Sequence, residues 1–185
     1  DTARVRAEEA ERQQRMLAEG LRDALEALTS TLSLEDVLDR ILELTAAVVP
    51  HENSNIMLID NGWASVRRTR GYPADLILTV TDLGLNVQET PNLRHMVESL
   101  RPLAIGDTAQ DPEWIVQPGM DWLRSYAAAP IINKGHVFGF LNLDSPQPGL
   151  FNQQHAEALQ AFADQVGIAL ENARLYASLQ ESNAK

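Results

Sequence analysis

The stretch Ser125-Tyr126-Ala127-Ala128-Ala129-Pro130-Ile131-Ile132-Asn133-Lys134-Gly135-His136-Val137-Phe138-Gly139-Phe140-Leu141-Asn142-Leu143-Asp144 decides the fold. Its first half is an apolar strand that ends at Asn133-Lys134-Gly135, where glycine supplies the positive φ of a tight reversal. A second apolar strand then runs to Asp144. Pro146, Pro148 and Gly149 make a loop, and a long helix capped by Asn152 follows over residues 152–182. Its stripe Leu159, Phe162, Val166, Ala169, Ala173 and Tyr176 suits a sheet. Ile168, Leu175 and Leu179 form a second stripe about half a turn away, interrupted by Asn172, and need a partner helix.

The same grammar organises the residues upstream. Asn61-Gly62 is a two-residue hairpin signal between a strand at Asn55–Asp60 and another at Trp63–Tyr72. Ser33 with Asp36 marks a helix start whose face is Leu34, Leu38, Ile41, Thr45 and Val48, stopped by Pro50. Thr90-Pro91 opens a shorter helix that ends before Pro102. Leu103–Ile105 reads as a short strand. The order helix, hairpin, helix, strand, hairpin, helix has no repeated strand–helix–strand unit, so the fold class is α+β with a mostly antiparallel sheet of five or six strands. Residues 1–28 carry a seam at Ala3, Ala7, Ala10, Gln14, Leu17, Leu21, Ala24 and Leu28. Its steps alternate four and three, the spacing that keeps one stripe against a partner helix.

Composition restricts the function. The 185 residues suit one domain with helical extensions. A net charge of −11 argues against nucleic acid or an anionic membrane as the main partner. No apolar run approaches the ~20 residues of a membrane helix, and no secretory leader pattern opens the chain. A cytoplasmic location without direct membrane contact is therefore expected. The first residue is not Met but Asp1, already within a charged helical pattern, which suggests a segment of something longer. The absence of cysteine removes disulfides, thiolate metal sites and cysteine nucleophiles together.

No catalytic or metal motif stands out. His51, His95, His136 and His155 lie in different elements, without the spacing that puts two ligands on one helix face. There is no nucleophile elbow, phosphate loop or glycine-rich fingerprint. Asp60, Asp107 and Asp144 each end a strand, where an acid naturally begins a turn. No catalytic residue, metal or cofactor is assigned, and the expectation is that the chain is not an enzyme. What does stand out is a loop with Trp114, Met120, Trp122 and Tyr126 within thirteen residues of a chain only 5% aromatic. Such rings are buried under a lid or against a ligand.

The hairpin, the "LNLD" strand, the "F-x-x-x-H" helix start and the "AFADQVGIALENARLY" helix resemble a GAF domain, a regulatory small-molecule-sensing module. The resemblance covers about residues 30–176 and is strongest over 125–176. It implies that the terminal helices lie on one face of the sheet and that the 91–100 helix and the aromatic loop form a lid over a pocket on the other. The candidate ligand-binding residues are then Met57 or Leu58, of which strand alternation lets only one face the pocket, with Ile105, Trp114, Trp122, Tyr126 and Asn142. Of the histidines only His95 has a functional reading, because its helix caps the pocket. Relatives that attach a bilin or reduce free methionine sulfoxide need a cysteine, which this chain lacks. Cyclic-nucleotide binding is disfavoured because Asn142 is followed by Leu143, not Lys, and the Asp-Glu positions after Phe151 hold His155 and Ala156.

The expected organisation is a signalling helix over 1–29, the domain over 30–176, and a closing helix over 152–185 that continues toward an output module. The expected function is a sensor domain of a multidomain signalling protein, a sensor histidine kinase being the commonest host. It would bind an unidentified small molecule and relay the signal through a homodimer. The candidate interface residues are Leu17, Leu21, Ala24, Leu28, Ile168, Leu175 and Leu179, with parallel or antiparallel pairing left open. The alternative is a ligand-free dimerisation and relay module whose tryptophans plug its own pocket. An apolar pocket of ~300 Å³ or more would favour sensing.

Overall fold

The computed structural model of the chain describes residues 1–29 and 33–183, leaving aside the side chains of residues 18, 21 and 24–29. Leu21, Ala24 and Leu28 of the proposed seam therefore lie outside the described side chains. Among the described residues twelve elements follow one another: helix α1 (Thr2–Thr29), α2 (Leu34–Val48), strands β1 (Asn53–Asp60) and β2 (Trp63–Arg70), α3 (Ile77–Thr81), β3 (Gly84–Asn86), α4 (Pro91–Ser99), β4 (Leu103–Ile105), a 3₁₀ turn (Thr108–Gln110), β5 (Ser125–Asn133), β6 (His136–Ser145) and α5 (Gln153–Asn183). The strands form one six-stranded sheet in the order β3-β2-β1-β6-β5-β4, and every pairing is antiparallel. This is the α+β architecture that the sequence implies.

Local chemistry sets most element boundaries. Asn61 and Gly62 have φ of 49° and 80°, and Lys134 and Gly135 have 53° and 79°. Both hairpins thus turn through two consecutive left-handed residues, the geometry whose twist matches that of the strands. The Ser33 side chain accepts from the Asp36 amide at 3.2 Å and starts α2. At the head of α5, Asn152 Oδ1 accepts from the His155 amide and His155 Nδ1 accepts from the Asn152 amide, each at 3.1 Å. Histidine here fills the place usually held by Glu in a capping box. Thr90 occupies the cap of α4 without bonding its amides; its hydroxyl donates instead to the Asn86 carbonyl.

The sheet divides two cores. On one face, Ile56 of β1, Ala127, Ala129 and Ile131 of β5, and Leu141 and Leu143 of β6 meet Val37, Leu38, Ile41 and Leu42 of α2 and Leu159, Phe162, Val166 and Leu170 of α5. Helix α1 lies along α5 and touches α2. Helix α5 approaches β5 so closely that a Cβ on Gly167 would strike the backbone carbonyl of Ile132. On the other face, Met57, Tyr126, Ala128 and Phe140 are covered by Leu93 and Met96 of α4, Val80 of α3, and Met120 and Leu123 of the 106–124 loop. Helix α3 and strand β3 are additions to the architecture expected from sequence; a single turn and three paired residues are too short to carry a period.

Candidate functional site

The lid face of the sheet should be apolar if it were only a second core, yet strand alternation places a band of polar side chains there. Asn55 of β1 stands opposite Asn142 of β6, and Asn142 in turn faces the small Ala128 of β5. One step along, Asp144 faces Tyr126. Tyr72, just beyond β2, reaches over the same place. All five of Asn55, Tyr72, Tyr126, Asn142 and Asp144 are buried, Asp144 to 3% exposure.

These side chains form one directional chain of hydrogen bonds. The Tyr126 hydroxyl donates to Asn142 Oδ1 at 2.7 Å, and Asn142 Nδ2 donates to Asn55 Oδ1 at 3.0 Å. Asn55 Nδ2 donates to the Tyr72 hydroxyl at 2.8 Å, and that hydroxyl donates to Asp144 Oδ2 at 2.5 Å. A longer contact of 3.4 Å runs from Asn55 Nδ2 to the same oxygen. Each donor polarises the next toward the carboxylate. Burial pushes the Asp144 carboxyl up from 3.8 to about 6, and the Tyr72 donation offsets part of that rise. Burial, and then the Asp144 charge, push both tyrosines well above their ordinary value. They are therefore neutral donors at pH 7. None of the ion pairs among the described residues involves Asp144.

A cavity of about 50 Å³ opens beside this band. Asn55, Met57, Tyr126, Asn142 and Asp144 line it from the central strands, Leu83 and Leu85 from the β3 edge, Thr90, Asn92 and Leu93 from the head of α4, and Trp114, Ile115, Gln117, Met120 and Leu123 from the loop. The 106–124 loop is tied at its base, where Arg124 Nε and one terminal nitrogen each donate to Asp107 at 3.2 Å. Thr108 adds bonds to the Arg124 and Leu123 carbonyls. A volume of this size holds a few waters or a very small organic group. It is well below the ~300 Å³ typical of pockets for larger ligands.

Of the residues selected from the sequence, Met57, Trp114, Tyr126 and Asn142 line this cavity. Leu58 packs on the opposite, helical face with the α2–α5 core. Ile105 lines a separate shallow depression with His95, Leu103 and Glu113, and Trp114 borders both. Trp122 is not on the cavity wall; it packs edge-on to Tyr72 with ring centroids 6.1 Å apart, buttressing the donor to Asp144. Trp114 and Tyr126 lie 5.1 Å apart in a tilted pair. His95 Nε2 sits 2.6 Å from Glu113 Oε2 at the exposed rim, tying α4 to the loop. Sequence reasoning misses Asn55, Tyr72 and Asp144. In sequence Asp144 looks like a turn-forming strand end, whereas β6 continues through Ser145 and buries it.

Seven side chains are interface candidates on the sequence. Ile168, Leu175 and Leu179 of α5 are 45%, 60% and 59% exposed, and Leu17 of α1 is 43% exposed. The remaining three are Leu21, Ala24 and Leu28. No helix among the described residues is long and apolar enough to cross a membrane.

Solved structures share this architecture at low identity. The GAF domain of a phosphoenolpyruvate-protein phosphotransferase from Coxiella burnetii matches with a TM-score of 0.69 at 17% identity, over 88% of this chain and 98% of that one. A GAF domain/HD domain protein from Geobacter sulfurreducens matches with a TM-score of 0.66 at 18% identity, over 83% and 97%. The free methionine-R-sulfoxide reductase of Neisseria meningitidis, in complex with its substrate, matches with a TM-score of 0.69 at 15% identity, over 88% and 90%. This last likeness corrects the expectation that the chain is not an enzyme. The architecture supports catalysis in that protein, so the fold does not exclude a catalytic role here. The lack of cysteine excludes only a thiolate of this chain as the reacting group. Residues 31–171 match the profile of the family described as GAF domain. The match spans most of the chain, including both faces of the sheet and the lid, and the chain belongs to the GAF domain family.

Proposed function

We propose that the chain is the sensor domain of a multidomain signalling protein, with a sensor histidine kinase as the expected host. It binds a small molecule between the sheet and the 91–124 lid and relays occupancy through paired flanking helices. The observation that carries this reading is the buried polar chain ending at Asp144 beside a cavity. A core that served packing alone would be more stable with apolar side chains there, because buried polar groups and above all an uncompensated carboxylate are costly. The exposed Ile168, Leu175 and Leu179 stripe supports the relay half of the reading: it is apolar surface on a helix already packed along its other face. In a two-fold dimer each stripe meets its symmetry mate, which makes the closing helices part of a bundle.

A second reading is a ligand-free relay module, and the small cavity favours it. At about 50 Å³ the space is closer to a packed interior than to a pocket for a nucleotide-sized guest. Native mass spectrometry of protein purified from its own host separates the two readings. A reproducible mass increment of a small molecule, lost on denaturation, supports sensing. A bare mass, together with unchanged stability across a library of small metabolites, supports the relay module.

A further inference from the structure

The lid-side cavity presents an unusual combination of groups. Its floor holds a buried carboxylate, and both hydrogen bonds that this carboxylate accepts fall on one oxygen, Oδ2. Among the described residues Oδ1 receives no hydrogen bond, yet it is not among the sealed polar atoms that lack a partner. Asp144 lines the cavity, and Oδ1 is its oxygen left without a hydrogen bond. The polar side chains that belong to its hydrogen-bond chain or line the cavity are all neutral: Tyr72 after β2, Tyr126 on β5, Asn55 on β1, Asn142 on β6, Asn92 on α4, and Thr90 and Gln117 in the flanking segments. Two aromatic rings line the cavity as a tilted pair, Tyr126 from the sheet and Trp114 from the loop.

From this we infer that the cavity takes a small organic ammonium ion, its charged head at Asp144 Oδ1 and against the Trp114–Tyr126 pair, its short apolar body toward Met57 and Met120. The inference rests on reading the cavity as the sensing pocket, and it names the class of guest. Above pH 6 the carboxylate is ionised and has only neutral donors. A buried charge in that condition is stabilised by an opposite charge more than by any further dipole. The faces of Trp and Tyr attract the same sign of charge. An anion would meet the carboxylate and two neutral phenols, with no cationic side chain to receive it. A bare divalent metal would find one carboxylate and no second acid, since no group of three potential ligands occurs among the described residues. The volume restricts the body to a few carbons.

The test uses propylammonium chloride, with 1-propanol as the neutral isostere and propionate as the anion. The 185-residue chain is held at fixed ionic strength in sodium chloride, and binding is followed by Trp fluorescence and calorimetry. Saturable binding of propylammonium at pH 7.5, at least tenfold tighter than propanol and absent for propionate, is the expected result. The affinity falls about tenfold between pH 7.5 and pH 5, as the ionised fraction of Asp144 drops. Asp144→Asn removes the preference for the cation over propanol. If that variant does not fold, the pH profile of the wild type tests the same charge: an affinity that stays constant from pH 7.5 to pH 5 overturns the assignment. Equal binding of propylammonium and propanol, or an undiminished cation preference in Asp144→Asn, overturns the ammonium assignment and leaves the pocket reading standing. Sodium or potassium competing as strongly as propylammonium also overturns it. Absence of binding by all three probes overturns it, and with no co-purified molecule the sensing reading falls as well.

Discussion

Replacing Asp144 by Asn should stabilise the domain, by an amount that depends on pH in a predictable direction. Burial raises the Asp144 carboxyl from 3.8 to about 6. The folded state therefore holds a proton that the unfolded state has already released between those two values. Below about pH 4 both states are protonated and the residue adds no charge cost. As pH rises from about 4 to 6 the unfolded state ionises first, and the native state loses stability relative to it. Above about pH 6 both are ionised and the loss is complete. At 1.36 kcal/mol per pH unit the interval corresponds to about 3 kcal/mol. Asn keeps the shape and can accept the Tyr72 hydroxyl in place of Oδ2, so it removes the charge with little else. Urea unfolding of both proteins at half-unit steps from pH 4 to 8, in buffer free of amines, measures this. The two stability curves should meet near pH 4 and separate to about 3 kcal/mol in favour of the variant by pH 7. In a domain of this size that gap corresponds to roughly 6–12 °C in Tm. Parallel curves would refute the reasoning, because they would mean that Asp144 is as well solvated or as well paired in the native state as in the unfolded chain.

Tyr72→Phe removes the donor that lowers the Asp144 carboxyl, so the titration observed by carbon NMR should move above that of the wild type; an unmoved or lowered value contradicts the hydrogen-bond chain. Gly167→Ala drives a Cβ into the Ile132 carbonyl and should cost about 1–3 kcal/mol in urea unfolding; a neutral result would mean that α5 is not seated on β5. Trp122→Ala removes the ring packed on Tyr72 and should destabilise the fold by up to about 3 kcal/mol, less than the full range for a buried Trp because the ring is partly exposed. Leu175→Glu with Leu179→Glu places like charges in the proposed helix pair, and sedimentation should change from dimer to monomer; a monomer already in the unmodified chain at high micromolar concentration removes the dimer from the proposal.

The parts of this fold legible from sequence are those determined within a few residues. Asn61-Gly62 and Lys134-Gly135 turn because their own backbone preferences demand it, and Ser33 and Asn152 cap because their side chains reach the next turn. Ile77–Thr81 is illegible for the converse reason. Its residues include two threonines and a valine, which favour strands, and it is helical because Val80 is held beneath the lid. In the site, Trp114, Tyr126 and Asn142 are visible as residues out of place on an apolar strand or in a loop, and Met57 only as one of two neighbours of which alternation lets one face the lid. Asp144 is hidden because an acid before Ser-Pro has an adequate local explanation as a turn former. The signal that reveals it is alternation. Asn53 and Asn55 skip around Ser54 and Ile56, and Asn142 and Asp144 skip around Leu141 and Leu143, so four polar side chains fall on the face that a lid would cover.

In the proposed sensor the distance from guest to output is the thickness of one strand. Strand β5 carries Tyr126 and Ala128 on the lid face and Ala127, Ala129 and Ile131 on the helix face, so neighbouring residues of one backbone belong to the cavity and to the α5 core. At Gly167 there is no side chain between helix and strand to absorb a displacement. Close-packed interiors transmit such displacements, because neither surface can compress. Tyr126 starts the hydrogen-bond chain that ends on Asp144, and it also contacts Trp114 of the lid. A cation that neutralises Asp144 alters the last link of that chain, and a body that fills the cavity displaces Trp114 and with it Tyr126. Both effects converge on β5, at the strand that supports the helix with the uncovered Ile168, Leu175 and Leu179 stripe. The work available for the relay is then the difference in guest affinity between two seatings of α5 on β5, and a guest that binds both seatings equally would leave the output unchanged however tightly it bound.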